Sequence, residues 1–381
     1  MPLINHCNGG GGTPQLCGQV ENFKVAAGNS SAILSWTAPS PDEDNSFVGA
    51  RIVRKTGSAP TGINDGTVVY EGTALTYTDT GLTAGTTYYY RAFAYNAKKK
   101  YQTELRLGSL TAFSADPIFN NNSWDVIKII SDNGQASNLW AIGDRKQITL
   151  NGTVGELSLS NVTTYTFIIG FNHNSSVEGA NRIHLQIGKT ALTNGKDICF
   201  GDSGFDGSSS NTGDYFGMNS RQTSAGGWKN SEMRNEILGT SLTSYYGTFI
   251  GCLPADFRAV LKPVTKYSDN HNGNVVSSSE SNVTATEDYM FLLSEYEVYG
   301  GRTYANSYEQ NKQEQYAYYS AGNSKVKYYH TKLTKAAWQW LRSNAYTDYG
   351  ANVQFCAISS AGTIDYMHAN FPLAIAPCCC V

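Results

Sequence analysis

Between residues 19 and 115 the chain is cut into short apolar stretches by turn signals, and this punctuation constrains its fold more than any other feature. Val20, Phe23 and Val25 come first, then Ala32, Leu34 and Trp36 in alternation, then Ile52 and Val53. Val68 to Tyr70, Thr76 to Thr78 and the longer run Tyr88 to Tyr95 follow. A strand presents successive side chains to opposite faces, so alternation marks a half-buried strand. Short strands at close spacing, with Gly, Pro and Asn clusters between them, predict an antiparallel β-sandwich.

Two local patterns carry a family resemblance. Leu34-Ser35-Trp36, followed by Pro39 and Pro41, and the corner Thr78-Asp79-Thr80-Gly81-Leu82-Thr83-Ala84-Gly85-Thr86-Thr87-Tyr88 resemble fibronectin type III domains, which share the immunoglobulin-like sandwich. The resemblance covers 19–115. It implies a buried Trp36 and a Tyr88 whose hydroxyl ties the corner back to the backbone, both framework rather than site.

Upstream, residues 1–18 hold four consecutive glycines, Gly9 to Gly12. Such sequence loses the most entropy on ordering, so it is expected to be an attachment arm that a partner orders. The opening residues lack the charged and apolar regions of a secretory signal, and no apolar run reaches the ~18 residues of a membrane span. Only 15% of residues are charged and the net charge is −3, which gives no basic surface for nucleic acid or for anionic lipid. The eight cysteines form no C-x-x-C pair and are expected as free, buried thiols in a reducing compartment.

After a polar linker expected over 116–123, the pattern changes. Ser123 reads as an N-cap, with Asp125 in the first turn and Trp124, Ile127 and Ile130 at helical spacing. Lys146 to Leu150, an Asn151-Gly152 turn and Leu157 to Leu159 predict a hairpin. Short helices are expected over Glu232 to Leu238 and after Pro254. Strands are expected over Tyr165 to Phe171, Val260 to Val264 and Tyr289 to Leu293, with Ser294 capping a helical turn. Trp338, Trp340 and Leu341 predict a strand with one face buried. The fold class is therefore mostly β with short helices (β and α+β).

Residue blocks through 124–381 carry a second resemblance. They include Trp140-Ala141-Ile142-Gly143-Asp144, Ile168-Ile169-Gly170-Phe171-Asn172-His173, Gly226-Gly227-Trp228, Ser231-Glu232-Met233-Arg234, Phe291-Leu292-Leu293-Ser294-Glu295 and Trp340-Leu341-Arg342-Ser343. They resemble the C-terminal domains of prophage-encoded virion proteins of Gram-positive gut bacteria, a domain of unknown function. That family is similar to the C-type-lectin fold shared with formylglycine-generating enzymes. The sequence departs from the family pattern at Asn344, where Pro is usual, and in the tail Cys378-Cys379-Cys380-Val381.

The polar, Tyr-, Asn- and Asp-rich tracts beside those departures supply the candidate ligand-binding residues: Asn344, Tyr346, Asp348, Tyr349, Asn352, Asp365, Tyr366, His368 and Asn370. Tyr provides contact area at low entropic cost, and Asn and Asp provide adaptable hydrogen bonds. Ordinary loops between core strands are the competing reading. Some phage proteins of this lectin-like type are diversified at Asn and Tyr codons, so these positions are also candidates for variation. No catalytic residues, metal ligands or cofactors are expected. The loop Asp202 to Gly207 lacks the acids of a calcium loop, and Cys356 sits in an apolar strand. Glu232, Arg234, Glu295 and Arg342 read as structural Arg–carboxylate ties rather than as a glycosidase pair.

The resemblance implies a bacteriophage structural protein displayed on the virion and assembled in the host cytoplasm, of tail-fibre or adhesin type. Its expected partners are other virion proteins through the arm, a host cell-surface glycan or protein through the C-terminal domain, and two further copies in a homo-trimer, with no nucleic acid and no membrane insertion. A capsid decoration or head-fibre protein without a receptor is the alternative, with a cell-wall hydrolase behind it.

Overall fold

The computed structural model describes residues 16–40, 47–201, 216–271, 277–347 and 353–381. Most of the proposed arm, the loop Asp202 to Gly207, and Asp348, Tyr349 and Asn352 lie outside the described residues. The fold is mostly β, with several sheets and few, short helices. The chain divides by contact into two compact units at Ala115/Asp116. Among the described residues no helix is long and apolar enough to cross a membrane.

The first unit is a seven-stranded sandwich of β1 (Glu21–Gly28), β2 (Ser31–Thr37), β3 (Phe47–Thr56), β4 (Thr67–Gly72), β5 (Thr76–Thr80), β6 (Thr87–Asn96) and β7 (Leu107–Thr111). One sheet has the order β1-β2-β5 and the other β4-β3-β6-β7. Leu34, Ile52, Tyr90 and Ala92 are wholly buried between the sheets, with Trp36 at 3% exposure. Cys17 belongs to the same core, so the sandwich begins inside the stretch expected as arm. At the corner the Tyr88 hydroxyl accepts a hydrogen bond from Thr83 N at 3.1 Å, the tie implied by the Leu82-to-Tyr88 pattern. Asp79 joins the sheets: it accepts from Arg54 at 2.9 Å through both oxygens and from the buried Tyr90 hydroxyl at 2.8 Å.

In the second unit, the stretch expected as a linker is folded in. Phe119 is buried against Trp124 and Trp140, and the Asn122 side chain binds the backbone of Asp116 and Ile118. The helix Trp124–Asp132 is capped by Ser123, which accepts from Val126 N. Then come β8 (Arg145–Val154), β9 (Leu157–Phe171), β10 (Ile183–Lys189), β11 (Ile198–Cys199), β12 (Val264–Asp269), β13 (Val283–Asp288), β14 (Met290–Phe291), β15 (Lys327–Tyr329), β16 (Lys332–Ala337), β17 (Gln339–Asn344), β18 (Gln354–Ile358), β19 (Ile364–His368) and β20 (Cys378–Cys380).

The largest sheet has the order β14-β20-β10-β9-β8, so the triple-cysteine run is a buried inner strand. All seven described cysteines are free and buried. The other sheets are β11-β15-β16, β12-β13 and β17-β18-β19.

Three local expectations are corrected. The first hairpin reverses at Gly155-Glu156, where Gly155 has φ 54°, and Asn151-Gly152 instead lies at a register shift inside the β8–β9 pairing. Longer strand pairing outweighs the Asn-Gly turn preference. The strand placed at Val260 to Val264 starts only at Val264, because Pro263 cannot donate to a ladder. Strand β17 is buried on both faces rather than one.

Candidate functional site

Gly226 and Gly227 open the site. They have φ of 84° and 55°, a region that glycine enters without steric cost. A Cβ on Gly227 would come within 2.0 Å of the Asp269 carbonyl oxygen. Only glycine lets the turn Gly227–Asn230 settle onto the end of β12, where Gly226 N donates to His271 O at 2.6 Å.

Between this turn and the β12–β13 ribbon lies a cleft of about 470 Å³. It is lined by Gly226, Lys229, Asn230, Asn270, His271, Ser281, Asn282 and Thr284. Asn270 braces its walls, accepting from Lys229 N at 2.8 Å and donating to Thr284 O at 3.1 Å and to Thr284 Oγ1 at 2.9 Å.

Behind the lining sits a buried carboxylate–imidazole pair. Asp269 Oδ1 accepts from His271 N at 3.0 Å and lies 3.1 Å from His271 Nδ1. Asp269 Oδ2 accepts from Asn306 Nδ2 at 2.7 Å and from the Tyr346 hydroxyl. Burial raises the Asp269 pKa, but the hydrogen bonds from His271, Tyr346 and Asn306 outweigh it and hold the carboxyl below its usual range. The carboxylate favours a proton on Nδ1. Asn344 Nδ2 lies 3.1 Å from the same nitrogen and would serve the other tautomer, while also donating to Asp269 O at 3.1 Å. In neither case does His271 Nε2, on a residue 1% exposed, find a partner among the described residues.

This arrangement divides the sequence-based candidates. Asn344 is fully buried and holds the Asp269–His271 pair, so it is removed from the ligand-facing set. A Pro there would lack the amide that does this. Tyr346 is half-buried, and its hydroxyl donates to Asp269 Oδ2.

Asp365, Tyr366 and His368 lie half-buried on β19, and Asn370 is exposed just beyond it. Tyr366 packs edge-on against Tyr304 with centroids 4.9 Å apart, and His368 Nδ1 pairs with Gln222 Nε2 at 2.9 Å. Tyr346 N donates to Tyr304 O at 2.8 Å, which joins the β19 row to the tract after β17.

A second buried polar cluster lies deeper. Lys266 Nζ donates to Glu178 Oε2 at 2.7 Å, Glu297 Oε1 at 2.9 Å and the Tyr316 hydroxyl at 2.8 Å. Arg342 donates to both oxygens of Glu297, and every one of these side chains is buried. Burial pushes Glu178 up to about 7 against the pull of Lys266, whereas Arg342 and Lys266 overcome burial and hold Glu297 low.

Donor atoms of His173, Glu178 and Glu297 come within 4.8 Å of one another, the spacing of a metal site. The Lys266 ammonium already bridges the two carboxylates, and burial together with that cation pushes His173 down to about 3. The donor set therefore fits an ammonium and not a metal ion. His173 Nε2 is 3.7 Å from Glu178 Oε1, too far for a hydrogen bond.

The Arg–carboxylate ties exist, but with partners other than those expected. Arg234 pairs with Asp288 at 2.6 Å and Arg342 with Glu297. Glu232 accepts from Ser220 N and Oγ, both at 2.7 Å, and Glu295 accepts from the backbone of Thr303, Tyr304 and Ala305. Both carboxylates are tied locally. The cleft pair was missed by sequence reasoning although Asp269-Asn270-His271 carried a signal. Residues two apart at a strand end share a face.

A sequence model of the family described as "Domain of unknown function (DUF6273)" matches residues 211–381. No curated protein sequence matches. Among solved structures, the chain is similar to the fibronectin type III domain of human fibronectin type III domain containing protein 3, at 18% identity over 28% of this chain and 94% of that one, with a TM-score of 0.23. It is similar to FN3tt at 18% identity over 26% and 99%, with a TM-score of 0.21. It is also similar to the Clostridium perfringens spore cortex lytic enzyme SleM, at 14% identity over 25% and 28%, with a TM-score of 0.20.

Proposed function

We propose that the chain is a structural protein displayed on a bacteriophage particle, in which the sandwich spaces the second unit from the particle and the second unit recognises a host-surface ligand. The observation that carries this reading is the β19 row. Tyr366 and His368, two apart and so on one face of β19, with Asn370 beyond, are presented on a sheet whose neighbouring strand β18 is wholly buried. A rigid strand carrying amphipathic and adaptable polar side chains is what a binding face requires. The fibronectin-like sandwich and the residue blocks shared with prophage virion domains support the setting. Copies arrayed on a particle gain avidity, so individually weak contacts suffice.

The test is binding of the full chain, multimerised on beads, to intact host cells and to purified cell-wall glycans. Retention on cells that is lost in the combined variant Tyr366→Ala, His368→Ala and Asn370→Ala is the expected result. Failure to bind host cells even when multimerised would remove the recognition role and leave an architectural component.

A further inference from the structure

We propose that the cleft floored by His271 is a binding site for a hydroxyl-rich ligand of saccharide type. This rests on the recognition reading above and adds to the β19 row a separate contact for glycan. Three observations carry it.

The imidazole of His271 lines the cleft, is 1% exposed, and has an Nε2 with no partner among the described residues. Its other nitrogen is held between the Asp269 carboxylate and the Asn344 amide, each at 3.1 Å. Nε2 itself has essentially no accessible surface, so His271 forms the floor of the cleft with its ring, and the ligand's hydroxyls are met by the groups around it.

Among the described residues the lining supplies amides from Asn230 and Asn282, hydroxyls from Ser281 and Thr284, and the Lys229 ammonium around the His271 imidazole, with no carboxylate and no large aliphatic side chain. Such a surface exchanges hydrogen bonds with vicinal hydroxyls and offers nothing to the apolar anchors of a peptide.

The framework is fixed. Asn270 braces both walls, Gly227 admits the turn where a Cβ would collide with Asp269 O, and Tyr346 with Asn306 immobilises the carboxylate behind the imidazole. Preorganised polar groups lose little entropy on binding.

The experiment titrates the full chain with monosaccharide–polyacrylamide conjugates bearing glucose, galactose, rhamnose or N-acetylglucosamine, and with inorganic phosphate. It compares wild type with Asn230→Ala, His271→Gln, and the double variant Tyr366→Ala and His368→Ala. Asn230 is exposed and makes no side-chain hydrogen bond among the described residues, so its variant reads the cleft with little risk to folding.

The expected result is wild-type binding to at least one conjugate, weakened about tenfold or more by Asn230→Ala and by His271→Gln. Conjugate binding that survives Asn230→Ala, or that is lost only in the β19 variant, overturns the cleft assignment while leaving host recognition standing. Binding of phosphate but of no sugar overturns it, as does turnover of a conjugate. A chain that binds no conjugate yet still binds host cells also overturns it, and one that binds neither removes the recognition reading as well.

Discussion

Arg342 clasps both carboxylate oxygens of Glu297 in the interior of the second unit, and neither side chain reaches solvent. The guanidinium also donates to Leu292 O at 2.8 Å and to Ser268 Oγ at 3.0 Å. Removing one partner of such a pair leaves a desolvated charge uncompensated. Arg342→Met should therefore cost about 3–5 kcal/mol. Lys128→Met, which breaks the exposed Lys128–Asp132 pair, should cost about 0.5 kcal/mol or less. Calorimetry on the full-length variants checks both, and equal losses would contradict the account.

Glu309 gives a pH signature. Burial pushes its pKa up to about 7, and it accepts from Asp269 N at 2.8 Å and from Ser343 Oγ at 2.7 Å. An acid whose folded pKa is raised contributes stability that is complete below its unfolded value near 4.5 and lost as pH rises through 7. Glu309→Gln does not titrate. Its melting temperature relative to wild type should climb between pH 5 and pH 8, with a limiting slope of about 1.4 kcal/mol per pH unit for one proton. A constant difference would refute the assignment.

The thiols should be silent. Burial pushes Cys199 and Cys378 up to about 12 and raises Cys356, Cys379 and Cys380 as well. The thiolate is the reactive form, so in native protein treated with a maleimide at pH 7 the seven described cysteines should take up no label, and all seven should react after unfolding. Rapid native labelling of the C-terminal run would contradict its place as an inner strand.

The corner of the sandwich gives a smaller, cleaner test. Tyr88→Phe deletes the acceptor for Thr83 N and leaves the ring over Arg54 in place. The expected loss is about 1 kcal/mol, read in the melting of the full chain. A neutral substitution would mean that solvent serves Thr83 equally well.

What the sequence disclosed was local. Ser123 and Ser294 announced their helices, because a cap acts within a turn; Ser294 forms a full capping box with Glu297. The pattern from Leu82 to Tyr88 announced its corner for the same reason. The ionic cluster was hidden because its contacts join residues 88, 31 and 45 positions apart, and no spacing rule reaches so far. Asn344 shows the limit most plainly. Its polar neighbourhood read as loop, but strand β17 carries its amide inward to Asp269. Tyr366 and His368 likewise read as loop, whereas they lie half-buried on β19, the edge strand of its sheet.

Recognition of a host-surface ligand by the second unit is the central claim, and competition on cells tests it most directly. Full chain labelled and multimerised should bind the host envelope, be displaced by unlabelled wild-type chain, and not be displaced by the combined variant Tyr366→Ala, His368→Ala and Asn370→Ala. Displacement by that variant as effective as by wild type, or no binding at all, would contradict it.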